Sequence, residues 1–388
     1  MLMRCLLLCL CLGWACTVRG QNALNTALRE SVHRVDVEVS DLYGKTKTEP
    51  VVITVFRPAS DVPAPLLILN HGRAIGSARQ SQGRQRFVDQ AKYFVAKGFV
   101  VMVPTRIGYG ETYGAIDPEE SEACRSPQLN AKNAALFKQM MAVYAFAQTQ
   151  NYVDAKHWVV AGQSLGGYAS VVTARLAPQG LVAAINFAGG FGGNPQSRRG
   201  NPCGASAWAH ELRERGPAQI PPVLWLYWHD DWFWGDDWPR QWYEAFIAGG
   251  GRGQLHHLPA LQVDGHGGFA RDMPGWMPRV DAFLKTLPLT LNAVEMPVAL
   301  AVPAPTSFAP LAQVDRLPYL KATGRAGYEK FLSNPNLPRA FALNADGKWA
   351  YMNGYTDAMA RTLEMCNTGA KTPCRLYAVD HEVVWVEP

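Results

Sequence analysis

The sequence predicts an α/β protein, a mostly parallel β-sheet flanked by helices, with a small C-terminal α+β domain. Three observations carry this. Short, purely apolar runs recur through residues 35–287, amphipathic stretches of helical length separate them, and a proline-rich segment marks a change of character at Pro288. Short continuous apolar runs suit strands buried on both faces, the condition of a parallel sheet covered by helices. Strands that alternate with helices argue for crossover connections and so for parallel pairing.

Val35–Val39 and Val51–Phe56, rich in β-branched residues, read as an opening antiparallel pair. Leu66–Leu69, Phe99–Val103, Trp158–Ala161, Val182–Phe187 and Val223–Tyr227 are the buried runs. Between them, Gln85–Ala96 sets Phe87, Ala91, Phe94 and Val95 on one stripe, and Leu129–Gln148 does the same with Leu136, Met140, Val143 and Phe146. Leu165–Leu176 starts directly at a strand end, and a helix over Trp238–Ala248 and a strand over Gln254–Leu261 complete the main domain, 21–287. Residues 288–318 read as a linker leaning toward extended polyproline conformation. In the small domain 319–388, Arg339–Leu343 and Lys348–Asn353 flank Ala345-Asp346-Gly347 as a hairpin. Thr356–Cys366 has helical spacing, and Arg375–Val379 and Val383–Trp385 read as closing strands.

With 48% hydrophobic and 18% charged side chains, 388 residues bury a large core and exclude a disordered, collagenous or coiled-coil protein. Residues 1–20 read as a secretory signal: Arg4 as basic n-region, Cys5 to Ala15 as apolar h-region, and Val18-Arg19-Gly20 as a cleavage site. Lipidation at Cys16 is the minor alternative. Loss of the leader removes two arginines and lowers the formal charge from +5 to +3, too weak and too interspersed with acids for a nucleic-acid partner. No later segment reaches eighteen apolar residues without a charge, so no membrane span is expected. The reading is a periplasmic or secreted protein.

Export changes how the cysteines are read. Four of the eight lie in the leader, leaving Cys124, Cys203, Cys366 and Cys374. Three pairings are possible, of which Cys366–Cys374 with Cys124–Cys203 is favoured because the first closes a short local loop. There is no CxxC pair with a nearby histidine and no HExxH, so neither metal nor cofactor is expected.

The strongest local signal is Gly162-Gln163-Ser164-Leu165-Gly166-Gly167, lying between an apolar strand and a helix. A serine held in a sharp strand-to-helix turn has strained backbone angles, so its neighbours two positions away must lack side chains. The same turn lifts the hydroxyl off the sheet and places the following amides at a helix N-terminus, where they stabilise an oxyanion. Such a serine needs a base, and the base an acid, in the chain order Ser, Asp or Glu, His. The run Val223–Tyr227 ends in Trp228-His229-Asp230-Asp231-Trp232-Phe233; side chains alternate at a strand tip, so only one of the adjacent acids faces the serine, and Asp231 is preferred. In Asp264-Gly265-His266-Gly267-Gly268, a histidine among glycines on the loop after the last strand is the base, His266. His256 and His257 sit inside a strand and are read as packing or surface.

Upstream, Leu66–Leu69 runs into Asn70-His71-Gly72-Arg73, where a second oxyanion donor belongs. Arg73 is expected to give that N–H beside the amide of Leu165, with Gly72 next in line. The Arg73 side chain either adds charge near the alkoxide or points to water. Arg106 either meets a substrate carboxylate or pairs with a loop acid. Together, these four elements resemble the α/β-hydrolase superfamily and, within it, the dienelactone-hydrolase-like esterases and peptidases, over residues 35–287. The resemblance implies an eight-stranded, mostly parallel sheet, a Ser164–His266–Asp231 triad and an oxyanion hole from Arg73 and Leu165. It departs at the nucleophile, which is cysteine in dienelactone hydrolases and Ser164 here; a serine esterase is the safer transfer.

Six tryptophans crowd positions 225–242. Trp225 is read as core, while Trp232 and Trp234 either line an apolar pocket or form a packed lid. No bulky cap is obvious within Gly189–Arg215, and an open cleft suits small or medium esters. The C-terminal domain matches nothing in the family's core and is read as an interaction module for an unknown partner or as a structural part.

Overall fold

The computed structural model describes residues 24–387, apart from Asp61, Ile75, residues 296–299, Tyr355 and Thr356. The expected signal segment and its cysteines lie outside the described residues. The chain divides into two compact units, Thr26–Met296 and Pro297–Pro388.

The first unit is built on eight strands: β1 (Ser31–Ser40), β2 (Thr46–Phe56), β3 (Ala64–Asn70), β4 (Val100–Thr105), β5 (Val153–Gln163), β6 (Leu181–Phe187), β7 (Val223–Trp228) and β8 (Gly253–Leu258). Their order is β1-β2-β4-β3-β5-β6-β7-β8. β1, β2 and β4 pair antiparallel; β4, β3 and β5 to β8 pair parallel. This is the eight-stranded, mostly parallel sheet that the resemblance implies. The helices are α1 (Ala78–Ser81), α2 (Val88–Ala96), α3 (Leu129–Gln148), α4 (Leu165–Leu176), α5 (Ala205–Arg213), α6 (Asp237–Ala248), α7 (Gly268–Arg271) and α8 (Met273–Leu284).

The apolar runs are buried on both faces because alternate residues serve different cores. Leu66, Ile68, Trp158 and Val160 face the core that contains α3 to α6. Leu67, Leu69, Val159 and Ala161 face the core that contains α2, Phe269 and Trp276. Each such Leu, Ile or Val side chain, fully buried, contributes about 1.5–3 kcal/mol, and the period of two fixes which way every strand tip points. Ends differ from the expected ranges where a local rule intervened: Pro259 stops β8 at Leu258, and Phe87, with φ 49°, delays α2 to Val88.

The second unit carries strands β9 (Arg339–Leu343), β10 (Trp349–Asn353), β11 (Arg375–Val379) and β12 (Glu382–Val383), in the antiparallel order β10-β9-β11-β12, with helices α9 (Ala322–Ser333) and α10 (Ala358–Asn367). The expected hairpin is present, and its turn is closed by Asn344, whose side-chain oxygen accepts from the amides of Asp346 and Lys348. Described residues toward both ends of the proline-rich segment are packed. Leu289 and Leu291 pack on the first unit's core, while Phe308, Leu311 and Val314 pack on the second's. Both favoured disulfides, Cys124–Cys203 and Cys366–Cys374, are formed.

Candidate active site

Ser164 caps α4 at the tip of β5 with φ 57° and ψ −123°, a conformation that costs a non-glycine residue about 1–3 kcal/mol. The glycines around it are required by close approach. A Cβ on Gly162 would collide with the Gly166 carbonyl, and one on Gly166 with the Asn70 carbonyl. The turn is held by Ser164 N donating to Phe187 O (3.0 Å) and by Gly190 N donating to Ser164 O (3.2 Å). Leu165 opens α4, so its amide has no partner within the helix and sits at the positive end of the helix dipole.

His266 comes from the loop after β8, and its Nε2 lies 3.0 Å from Ser164 Oγ. Its Nδ1 lies 3.0 Å from Asp231 Oδ2. The other Asp231 oxygen accepts from the amides of Phe233 (2.8 Å) and Trp234 (3.1 Å), which fixes the carboxylate. Asp230 points the other way, exposed and paired with Arg199 at 2.6 Å. Asp264 ties the two loops together, because one of its oxygens accepts from both Trp232 N (2.9 Å) and His266 N (3.0 Å). The imidazole is stacked by Phe233, centroid to centroid 4.0 Å, with Trp234 edge-on at 5.3 Å. Phe233, Asp264 and Gln163, whose side chain donates to His266 O, are the residues that sequence reasoning missed. His256 and His257 stay away from this group: His257 stacks on His229 and His256 reaches Gln254.

Ser164 and Leu165 open into a cleft of about 440 Å³, walled by Arg73, residues 119–125, Phe191, Phe233 and Trp234. Three expectations change here. The Arg73 side chain, still partly exposed, neither stands free in water nor keeps its charge unpaired for an alkoxide, since Asp117 grips it through both oxygens at 2.9 and 2.8 Å with Glu119 at 3.4 Å. Burial opposes its charge, but the Asp117 hydrogen bond and the charges of Glu119 and Asp117 outweigh it and raise the guanidinium's pKa. Arg106 is not a substrate ligand. It is fully buried, with Nε on Glu119 (2.5 Å) and Nη1 on the His71 carbonyl (2.6 Å). Of the two tryptophans, Trp234 lines the cleft and donates to Ala188 O at 2.7 Å, whereas Trp232 lies outside it beneath Arg199. Gly190 makes room for the Trp234 ring, which a Cβ there would meet at 3.0 Å, and Gly193 for the Trp234 and Phe233 rings, at 2.7 and 2.8 Å. The disulfide partner Cys124 belongs to the same wall.

No family model matches the sequence, and no curated protein matches it. Among solved structures, the chain is similar to a protein assigned as a dienelactone hydrolase from Klebsiella pneumoniae, at 16% identity and TM-score 0.43, over 66% of this chain and 99% of that one. It is similar to a butyrate-bound esterase from Thermogutta terrifontis at 17% identity and TM-score 0.41, over 61% of this chain and 90% of that one. It is also similar to the acylaminoacyl peptidase of Pyrococcus horikoshii at 13% identity and TM-score 0.41, over 66% of this chain and 41% of that longer one.

Proposed function

We propose that this chain is an exported serine hydrolase that cleaves small or medium carboxylic esters through an acyl-enzyme. The observation that carries this reading is the continuous relay from Ser164 Oγ to His266 to Asp231, with both links at 3.0 Å and the hydroxyl at the floor of a cleft. Ser164 Oγ attacks the ester carbonyl while His266 Nε2 takes its proton. The tetrahedral oxyanion rests on the amides of Leu165 and Arg73. His266 returns the proton to the departing alcohol, and water repeats the sequence to release the acid. Asp231 holds the imidazole in the tautomer that leaves Nε2 free to accept, and stabilises the imidazolium. General base catalysis of this kind is worth roughly 10²–10⁴ and an oxyanion donor roughly 10²–10³.

Phe191, Phe233 and Trp234 give the cleft an apolar side suited to an acyl chain. Esters are preferred because an alkoxide leaves with less assistance than an amine. Export is supported by the two disulfides, which persist in an oxidising compartment. The test is fluorophosphonate labelling of the mature protein followed by turnover of p-nitrophenyl esters and aminoacyl amides. Modification at Ser164 with ester turnover is the expected result. Efficient amide cleavage without ester preference makes the chain a peptidase, and an inert folded protein makes it a binder.

A further inference from the structure

We infer that His71, braced by Arg106, is the positioning residue that aims the Arg73 amide into the oxyanion hole; the inference rests on the hydrolase reading above. His71 is buried at the end of β3, and its two ring nitrogens have different partners. Nε2 receives the backbone N–H of Arg106 at 3.1 Å, so it carries the lone pair. The proton of the neutral ring is then on Nδ1, which donates to the Gly72 carbonyl at 2.7 Å. A charged ring would lose the Arg106 bond; burial, then the Arg106 charge, pushes the imidazole's pKa well below its ordinary value and keeps it neutral.

The Gly72 oxygen is therefore held toward the interior, with Arg106 Nη2 also pointing at it from 3.5 Å. In a trans peptide the carbonyl of one residue and the N–H of the next point in opposite directions. Fixing Gly72 C=O inward therefore turns Arg73 N–H outward, toward the cleft wall that Arg73 shares with Ser164. The residue that carries this carbonyl lies against the elbow: a Cβ on Gly72 would lie 3.0 Å from Ser164 Cβ and 2.8 Å from Gln163 Oε1. The brace is itself fixed. Glu119 accepts from Arg106 Nε (2.5 Å) and Tyr109 OH (2.6 Å), and the Tyr109 ring meets His71 edge-on at 4.5 Å. Neither His71 nor Arg106 lines the cleft; both act through the peptide they hold.

Two substitutions separate aiming from mere packing. In His71→Asn, the side-chain amide sits where Nδ1 sits and still donates to Gly72 O, but it does not reach the Arg106 amide. In His71→Gln, the side chain reaches the Arg106 amide and leaves Gly72 O free. Ester kinetics, inhibition by a boronic acid (whose tetrahedral adduct fills the hole) and thermal melting are measured for both and for the parent. The expected result is that His71→Gln loses roughly 10²-fold in kcat with KM unchanged and boronate affinity falling in parallel. His71→Asn should stay within about tenfold of the parent, whatever the order of the two melting temperatures. Equal kcat for both variants, or a lower kcat in His71→Asn than in His71→Gln, overturns the inference. Should His71→Gln fail to fold, Arg106→Lys replaces it; it retains a charge for Glu119 and loses the forked hold on the two carbonyls. It is expected to lower kcat at constant KM, and parent-like kcat in that variant overturns the inference. A parent that neither labels nor turns over esters defeats the underlying hydrolase reading instead.

Discussion

Substituting Asp231 by Asn tests the relay at its most buried link. Asp231 Oδ1 accepts two backbone amides, from Phe233 and Trp234, so in Asp231→Asn the carbonyl oxygen is forced into that position. The amide nitrogen must then occupy the Oδ2 position, 3.0 Å from His266 Nδ1, and donate to it. The neutral imidazole responds by carrying its proton on Nε2, which faces Ser164 Oγ at 3.0 Å and now donates instead of accepting. The base is present but in the wrong tautomer. The expected loss is about 10⁴ in kcat, or about 5.5 kcal/mol of transition-state stabilisation, at nearly constant KM. Because both turn amides remain satisfied, the melting temperature should hardly move. Asp231→Ala orphans two buried N–H groups at about 1–3 kcal/mol each and should lower stability as well. Asp230→Asn, at an exposed ion pair, should leave both unchanged. The assay is steady-state hydrolysis of a p-nitrophenyl ester with a parallel melt. Retention of more than a tenth of the activity in Asp231→Asn would refute the reasoning.

Gly166→Ala places a methyl group against the Asn70 carbonyl, so α4 must shift off the sheet; roughly 1–3 kcal/mol of stability and most Ser164 labelling should be lost, read by melting and fluorophosphonate uptake. Replacing Cys124 and Cys203 by Ser opens a loop of 79 residues, worth about 4.5 kcal/mol by the chain-entropy argument, against about 2.5 kcal/mol for the 8-residue Cys366–Cys374 loop. Denaturant midpoints should rank the two variants in that order, and the first should also lower activity, because Cys124 belongs to the cleft wall. His33, His71, His256 and His257 all have pKa values lowered by burial, so below about pH 6.5 the unfolded chain binds protons that the folded chain does not. Unfolding free energy therefore rises with pH in this range, and the melting temperature should fall from pH 7.5 to 5.5, with His71→Asn flattening the slope.

The sheet was legible in the sequence because both faces of its strands are buried, leaving continuous apolar runs. The elbow was legible because its glycines are enforced by backbone collisions. Five of the described helices were not read, two of which, α1 and α7, are only four residues long. α8 begins Met273-Pro274-Gly275 and contains Pro278, so its start resembles a loop. α9 holds Gly324 and Gly327, poor helix formers that tertiary packing demands, since the Trp349 ring lies against both. α5 lies in a segment whose glycines hide its short apolar stripe, Ala205, Trp208, Ala209 and Leu212. Strand alternation required that only one of Asp230 and Asp231 face Ser164, without saying which. Phe233 and Asp264 were not legible, because their roles depend on two loops, 32 residues apart, meeting above the sheet. Arg106 stayed between two readings for the same reason: a cation at a strand tip resembles a ligand for substrate until its acceptors, here the loop acid Glu119 and the His71 carbonyl, are known.

The shared oxygen of Asp264 makes the two loops one mechanical part. Heating or a local opening that swings the Asp264 carboxylate away frees Trp232 N and His266 N together, so carboxylate and imidazole leave alignment in a single event. Molecules with a half-assembled relay are then scarce, and inactivation should proceed as an all-or-none loss of competent enzyme with no population of sluggish intermediates.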